Sequence, residues 1–294
     1  MKMIALLLSL TTALLTACSA APSDPAPGVP MLSTLRTENV PAPSGAVSYF
    51  TLSAGSGQSP SENMLALLSG TCVLQKVSGN VQNAGTRVWL GVVGSGFGQT
   101  WTLNLTAAGS DSFSATAACA PWSMFYGNVP SYNQSQFWTW TVSGATRSSN
   151  LWGNPDSYCS LTGLGGTLGA LNGHIPGAQS IVYQNGASWL LSVNAAAGDT
   201  CYGEATCFSF SQWTGQTHPT FTTTPNVDQL NHTQALPFES QALCGLADIN
   251  PGGGGIVAAS GIAINPAVGT ITNNRGFLNE WPIGRATCIN YQVN

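Results

Sequence analysis

Six of the eight cysteines lie in two short motifs that each occur three times along the chain. The opening motif reads Cys-x-Leu-x-x-aliphatic and the closing motif reads Ala-x-Cys. Each closing cysteine follows its opening cysteine by 47, 48 or 44 residues. This spacing predicts one disulfide in each of three equivalent units. The predicted pairs are Cys72 with Cys119, Cys159 with Cys207, and Cys244 with Cys288.

Cys201 stands outside this pattern. Six residues before the closing cysteine, the other units carry Phe113 and Pro282, so the position accepts apolar groups and predicts a buried thiol. The alternative pairing joins Cys201 to Cys207 and leaves Cys159 unbridged. No Cys-x-x-Cys pair occurs, so the cysteines do not predict a metal site.

Carboxylates also recur, eight residues before each closing cysteine, and two units carry a tryptophan eighteen residues before it. An indole face beside a carboxylate could bind a sugar, and repeated carboxylates could hold Ca²⁺. The structural alternatives are turns for the acids and a strand core for the tryptophans. The candidate ligand-binding residues are Trp101, Asp111, Trp189, Asp199 and Glu280.

Sequence motifs of catalysis are absent. The chain has no Gly-x-Ser-x-Gly, His-Glu-x-x-His or Ser-x-x-Lys sequence, and its three histidines lie in contexts typical of loops. The sequence therefore predicts no catalytic residue, no metal and no cofactor. A secreted hydrolase with a site scattered over distant segments is the least favoured alternative.

The amino terminus resembles that of a bacterial lipoprotein. Lys2 precedes an apolar stretch from Ile4 to Leu15, which has the length of a signal-peptide core, and Leu15-Thr16-Ala17-Cys18 resembles a lipobox. The resemblance covers this segment alone, and the folded part is not identified with a known family. It implies cleavage before Cys18, a lipid on its sulfur, and, since Ser19 is not acidic, a place in the outer membrane of the cell envelope.

Composition agrees with export. Only 6% of the residues are charged, and the chain after the signal keeps six of seven Lys and Arg against eleven Asp and Glu. No basic cluster is present, so nucleic acid is not an expected partner. Six prolines between residues 22 and 43 predict an extended spacer after the lipid.

Apolar residues inside the units alternate with a period of two, which is typical of strands with one buried face. Trp101, Leu103 and Leu105 show the pattern, and an aromatic residue 21 to 23 residues before each opening cysteine marks an earlier strand: Tyr49, Trp138 and Phe221. Residues 61–68 are the one segment predicted to form a short helix, with Ser61 as its cap.

The predicted fold is all-β, with three disulfide-stapled repeats of about 75 to 85 residues. Two architectures fit it: a closed pseudo-threefold assembly of the prism or trefoil kind, which short connections favour, or small sandwiches in tandem. The predicted organisation is a signal peptide (1–17), a lipid-anchored tether (18–45) and three repeats (46–133, 134–216 and 217–294).

Two functions are open at this point. The first is a surface lipoprotein, tethered to the membrane by its lipid, that binds carbohydrate or another component of the cell envelope. The second is a structural or assembly lipoprotein with no small ligand. Candidate sites repeated in the three units favour the first function. The lack of a set of exposed residues common to all three units favours the second.

Overall fold

A computed structural model describes residues 47–126, 135–153, 157–168, 178–185, 188–195, 197–209, 221–223, 233–237, 241–250, 261–274 and 283–291. Within these ranges nearly all of the regular secondary structure is strand, as the alternation of apolar residues predicts. Among the described residues the helical structure is a 3-10 turn at Gly96–Gly98 and a single turn, α1, at Ser123–Tyr126. None of the described helices is long and apolar enough to cross a membrane.

Each predicted unit contributes six of the eighteen described strands. The first unit holds β1 (Ser48–Ala54), β2 (Ser61–Ala66), β3 (Gly70–Asn80), β4 (Arg87–Val93), β5 (Thr100–Thr106) and β6 (Ser112–Pro121). The second holds β7 (Ser135–Ser143), β8 (Thr146–Gly153), β9 (Ser157–Gly166), β10 (Ala178–Asn185), β11 (Ser188–Ala195) and β12 (Thr200–Ser209). The third holds β13 (Phe221–Thr223), β14 (Thr233–Ala235), β15 (Ala242–Asn250), β16 (Gly261–Asn265), β17 (Thr270–Asn274) and β18 (Ile283–Asn290).

The strands form three six-stranded sheets, and every sheet is shared by two units. Sheet A has the order β1-β6-β3-β16-β17-β14, sheet B has β2-β5-β4-β9-β12-β7, and sheet C has β13-β18-β15-β10-β11-β8. In each case the first, sixth and third strands of one unit continue into the fourth, fifth and second strands of another. The units therefore interlock in a closed ring, and an arrangement of three separate sandwiches in tandem is ruled out.

The junctions between units within the sheets are short. Strand β4 pairs with β9 at three positions, β16 with β3 at three, and β10 with β15 at two. By contrast, the central pairs inside the units, such as β3 with β6, run over ten positions. Continuity between units within each sheet thus depends on a few ladder contacts.

The opening motif encodes a β-bulge. Strand β3 shifts register between Leu74 and Lys76, which leaves Gln75 as the extra residue, and β9 and β15 have the equivalent extra residues Thr162 and Ala247. One extra residue displaces the alternation by one position. The core residues of the motif therefore lie two apart and then three apart, as in Cys72, Leu74 and Val77, all of which are buried.

The three disulfides are those predicted from the spacing: Cys72 with Cys119, Cys159 with Cys207, and Cys244 with Cys288. In each unit the bridge joins directly opposite residues of the third and sixth strands. Cys201 is buried and its sulfur lies 3.8 Å from the carbonyl oxygen of Tyr202. The alternative pairing through Cys201 is therefore wrong.

Both faces of the third and sixth strands are buried around the disulfides, and all ten residues of β9 are buried. One face contributes the cysteines and leucines to a large core that spans all three units. The other face contributes Val73, Tyr158, Phe208 and Leu243 to a second cluster. The third strands approach closely there, since a Cβ added at Gly245 would lie 2.8 Å from Cβ of Val73 and 3.3 Å from Cβ of Ser160.

Hydrogen bonds connect different units at this approach. Nε2 of Gln75 donates to the carbonyl oxygen of Cys244 at 3.0 Å, and the hydroxyl of Tyr158 donates to the carbonyl oxygen of Thr287 at 2.8 Å. Burial raises the pKa of Tyr158 far above its ordinary value, so its hydroxyl stays a neutral donor. These buried bonds fix the first and second units against the third.

One prediction about an element is wrong. Residues 61–68 do not form a helix, because Ser61 begins β2 and its hydroxyl donates to Oδ1 of Asn104 on the neighbouring strand at 2.7 Å.

The aromatic residues upstream of the opening cysteines lie on the first strand of each unit, as predicted, but at different levels. Tyr49, Trp138 and Phe221 pair with Ala118, Ala205 and Ile289, which occupy three different positions relative to the closing cysteines.

Candidate functional site

The two tryptophans predicted to stack on sugars belong to the core. Trp101 and Trp189 are both 0% exposed, so neither indole presents a face to a ligand. Their ring nitrogens donate to the carbonyl oxygens of Gly70 at 3.2 Å and Ser157 at 2.9 Å, each located two residues before an opening cysteine. Each tryptophan therefore ties one sheet to the next, and its predicted role in ligand binding is corrected to a structural role.

Asp111 is also an internal structural residue. Its carboxylate is buried and accepts hydrogen bonds from the backbone amides of Gln82 and Asn83 (2.9 Å each), the Asn83 side chain (2.8 Å) and the Thr86 hydroxyl (2.5 Å). Four donors match the roughly four acceptor positions of a carboxylate. The predicted role as a Ca²⁺ or sugar ligand is therefore corrected: Asp111 fastens the β3–β4 connection to the turn before β6.

The other two predicted acids differ from Asp111. Asp199 is half-buried at the equivalent turn, where its carbonyl oxygen accepts a hydrogen bond from the amide of Gly144 at 3.0 Å. Glu280 lies outside the described residues. The turns at Asp111 and Asp199 each follow a glycine with positive φ, Gly109 at 57° and Gly198 at 89°. They are not hairpin tips, because the strands that they connect belong to different sheets.

A different group of side chains meets on sheet B, and we call it the Glu204 cluster: Arg87, Trp89, Thr139, Thr162, Tyr202 and Glu204. Arg87 and Trp89 come from β4 of the first unit, and the other four come from β7, β9 and β12 of the second unit. The cluster therefore lies across the junction between these two units.

Glycine on the intervening strand allows this meeting. Gly163 and Gly165 of β9 lie between β4 and β12, directly opposite Trp89 and Arg87. A Cβ at Gly163 would lie 2.9 Å from Cβ of Glu204, 3.0 Å from Cβ of Trp89 and 3.0 Å from Cε1 of Tyr202. The missing side chain thus leaves the space that residues from both neighbouring strands occupy.

Glu204 is 6% exposed and its carboxyl group contacts three hydroxyl groups. The distances to its oxygens are 2.8 Å from Tyr202, 3.1 Å from Thr139 and 3.2 Å from Thr162. Burial raises the pKa of Glu204 to about 7, and the hydroxyl hydrogen bonds and the charge of Arg87 only partly oppose this rise. Burial and the nearby Glu204 also raise the pKa of Tyr202 far above its ordinary value.

Arg87 covers the aromatic rings of the cluster. Its guanidinium carbon lies 4.6 Å from the centroid of the Trp89 ring and 5.4 Å from that of Tyr202, distances typical of cation–π contacts. Arg87 itself is exposed and Trp89 is half-buried. A positive group and the accessible part of an indole thus lie together on the surface of sheet B.

Beside Trp89 the sheet has a closely packed polar position at Gly91. A Cβ at this half-buried glycine would have Nδ2 of Asn104 at 3.0 Å, Oγ1 of Thr102 at 3.1 Å and Nε1 of Trp89 at 3.5 Å. We call Arg87, Trp89, Gly91 and Asn104 the Trp89 face. Its half-buried indole and amide and its exposed guanidinium group offer the mixture of apolar surface and directed polar groups that sugars require.

The sequence-based choice of candidate residues did not include Trp89, Arg87 and Glu204 because it was based on positions shared by the units. At the position of Glu204, three before the closing cysteine, the other units carry Thr116 and Arg285. The available signal was a lone acid inside a strand of a chain with 6% charged residues. Among the described residues there is no group of three His, Cys, Asp or Glu that could hold a metal ion.

The described residues define an all-β, disulfide-bridged protein with three interlocked six-stranded sheets and a mixed aromatic and polar face on sheet B. Comparison with known proteins finds no match, either among protein-family models or among curated sequences.

Proposed function

We propose that this chain is an exported lipoprotein of the bacterial cell envelope, anchored through Cys18, whose folded part binds carbohydrate through the Trp89 face. The lipobox-like Leu15-Thr16-Ala17-Cys18 and the apolar stretch before it support the anchor. The three disulfides support export as well, because such bridges persist in oxidising compartments outside the cytoplasm.

The observation that carries the binding proposal is the exposed guanidinium group of Arg87 stacked on the half-buried indole of Trp89. The half-buried side-chain amide of Asn104 lies beside them and adds a polar group to the same face. A sugar ring has an apolar C–H face that packs on an indole and hydroxyls that need donors and acceptors. A single shallow site of this kind binds weakly, and display of many copies on one membrane raises the avidity.

A glycan array probed with the soluble chain from residue 19 onward tests the proposal. Trp89→Ala and Asn104→Ala should each weaken binding of any captured glycan at least tenfold. Tyr49→Ala is the matched control, because Tyr49 is an aromatic residue that is 41% exposed on a different sheet. Absence of any bound glycan, or equal binding by the Trp89 and Tyr49 variants, would contradict the carbohydrate proposal.

The anchor has a separate test. Mass spectrometry of the membrane fraction should detect a mature chain that begins at a lipid-modified Cys18. Cys18→Ala should release the protein from the membrane or block its processing. A wild-type chain recovered in solution with an unmodified Cys18 thiol would contradict the lipoprotein proposal and leave the glycan result unaffected.

A structural or assembly lipoprotein is the second candidate. The observation that favours it is the burial of Trp101, Trp189 and Asp111, since these recurring residues serve the fold. If the array and both Trp89-face variants give no binding signal while the folded chain remains membrane-bound, this second function replaces the first.

A further inference from the structure

The described part of the chain begins at the end of the molecule that carries the disulfides. Ser48 of β1 pairs with Cys119, and Val47 before it packs against the second hydrophobic cluster. Cys18, the proposed site of the lipid, is separated from Val47 by 28 residues. A chain of this length spans at most about 100 Å when fully extended. This end of the fold is therefore the part that the lipid would hold closest to a membrane.

Two hairpin turns lie at the same end. Strand β4 pairs antiparallel with β9 and runs toward the level of Cys159, so the turn between β4 and β5, residues 94–99, lies there. Strand β16 pairs antiparallel with β3 and runs toward the level of Cys72, which places the turn between β16 and β17, residues 266–269, at this end too. The two turns thus extend from two different sheets in one direction.

Segments next to the first disulfide complete this end. The amide of Leu67 donates to the carbonyl oxygen of Gln99 at 2.9 Å, and the amide of Trp122 donates to the carbonyl oxygen of Ser69 at 3.0 Å. The β2–β3 turn and the segment after β6 therefore adjoin the β4–β5 turn. We call these four segments the entry end: residues 67–69, 94–99, 122–126 and 266–269.

The entry end is apolar and uncharged. Among the described residues, the exposed large hydrophobic side chains are Tyr49, Val93 and Val268, at 41%, 48% and 57%. Val268 lies in an entry-end turn, Val93 directly precedes another, and Tyr49 lies near the start of β1. None of the four segments contains a charged residue, whereas Asp111 and Asp199 lie in turns at the opposite end. Single exposed apolar residues are common, but their confinement to one uncharged end indicates contact with an apolar partner.

A lipid bilayer fits this surface. Placing the entry end against a bilayer would bury valine side chains without removing water from any charged side chain of the four segments. The lipid on Cys18 would also keep this end at a high local concentration beside the membrane. Contacts that are weak one by one would therefore be sufficient to orient the folded part.

We propose that the entry end rests on the membrane surface, with Val93 and Val268 in the interfacial layer of the bilayer. The proposal depends on the lipid anchor at Cys18 proposed above and not on carbohydrate binding. Contact through uncharged side chains does not require anionic lipid, because no basic group takes part. The Trp89 face lies on the side of sheet B and stays accessible to ligands in this orientation.

Hydrogen exchange measured by mass spectrometry tests the orientation. The mature, lipid-bearing chain is placed in phosphatidylcholine vesicles and compared with the soluble chain from residue 19 onward in buffer. Amides of residues 93–99 and 266–270 should exchange at least about threefold more slowly in the anchored chain, because the membrane surface excludes water from them. Amides of residues 106–111, at the opposite end, are the internal control and should not change. Adding phosphatidylglycerol to the vesicles should leave the result unchanged.

Acidic substitutions sharpen the test. Val93→Glu combined with Val268→Glu places carboxylates in the interfacial layer, so it should abolish the slowing at both turns while the lipid stays on Cys18. Both valine side chains are exposed, so the fold should tolerate the change. Ser110→Glu, at an exposed turn position of the opposite end, is the matched control and should keep the wild-type slowing.

The contrary outcomes are distinguishable. A lipid-bearing chain without slowing at the entry end, or with slowing that requires phosphatidylglycerol or survives in the double glutamate variant, would overturn this proposal alone. Slowing that disappears when the anchored chain is diluted in the vesicles would place a second copy at the entry end and overturn the assignment to lipid. Mass spectrometry of Cys18 before the exchange identifies failure of the anchor, since a chain without lipid would contradict both proposals.

Discussion

At the scale of single residues, burial decides what a recurring position does. Asp111 and Asp199 occupy equivalent turns, yet Asp111 is fully buried with four hydrogen-bond donors and Asp199 is half-buried. A buried polar group that loses its hydrogen-bond partner incurs a desolvation cost, because water cannot replace the partner. An accessible group avoids this cost. The two acids therefore form a natural matched pair.

We expect Asp111→Ala to lower the free energy of unfolding by about 2–4 kcal/mol, because four buried or half-buried donors lose one charged acceptor. Asp199→Ala should cost less than about 1 kcal/mol. Urea denaturation followed by tryptophan fluorescence measures both values. Equal losses in the two variants would contradict the structural role assigned to Asp111.

Trp101 and Trp189 extend the same argument to the core. Each fills a fully buried position, and its ring nitrogen donates to a backbone carbonyl oxygen of a strand in another sheet. Truncation to alanine should destabilise the protein by about 3–5 kcal/mol, which combines the lost burial with the cavity that remains. Thermal unfolding of each variant measures this loss, and Trp138→Ala, at a partly buried position, is the comparison that should cost less.

At the scale of strands, much of the fold could be predicted because each strand follows a local rule. Alternation predicts the strands, and equal spacing of cysteines predicts the bridges between them. The helix expected over residues 61–68 failed because pairing with β5 overrides a weak local preference. The Glu204 cluster could not be predicted, since Trp89, Gly163 and Glu204 become neighbours only through sheet pairing between units.

Glycine on β9 provides the sharpest test at this scale. Gly163→Ala places a methyl group within 3.0 Å of side-chain atoms of Glu204, Trp89 and Tyr202, and such overpacking costs about 1–3 kcal/mol. Gly98→Ala is the control, because a Cβ there meets no atom within 4 Å and the residue does not have a positive φ. Differential scanning calorimetry should show a lower Tm for the first variant and an unchanged Tm for the second.

At the scale of the whole molecule, the shared sheets predict that the three units fold as one. Every sheet contains strands of two units. An isolated unit would therefore keep only three strands of each of its two sheets. The edge that pairs with the other unit, such as β4, β10 or β16, would be exposed. A unit taken alone would also expose to water the apolar residues that it packs against the other two units in the shared core. The intact chain should therefore unfold in a single cooperative transition.

The decisive comparison is between the intact chain and its second unit alone, residues 134–216. Calorimetry of the intact protein should give one transition, with equal calorimetric and van't Hoff enthalpies. The isolated unit, oxidised so that Cys159 and Cys207 are bridged, should give an amide NMR spectrum with little dispersion. It lacks the partners of β9 in the first unit and of β10 in the third, and the buried hydrogen bond from Tyr158 to Thr287. A well-dispersed spectrum, or three separate transitions in the intact chain, would mean that the units are independent and that the shared sheets do not govern stability.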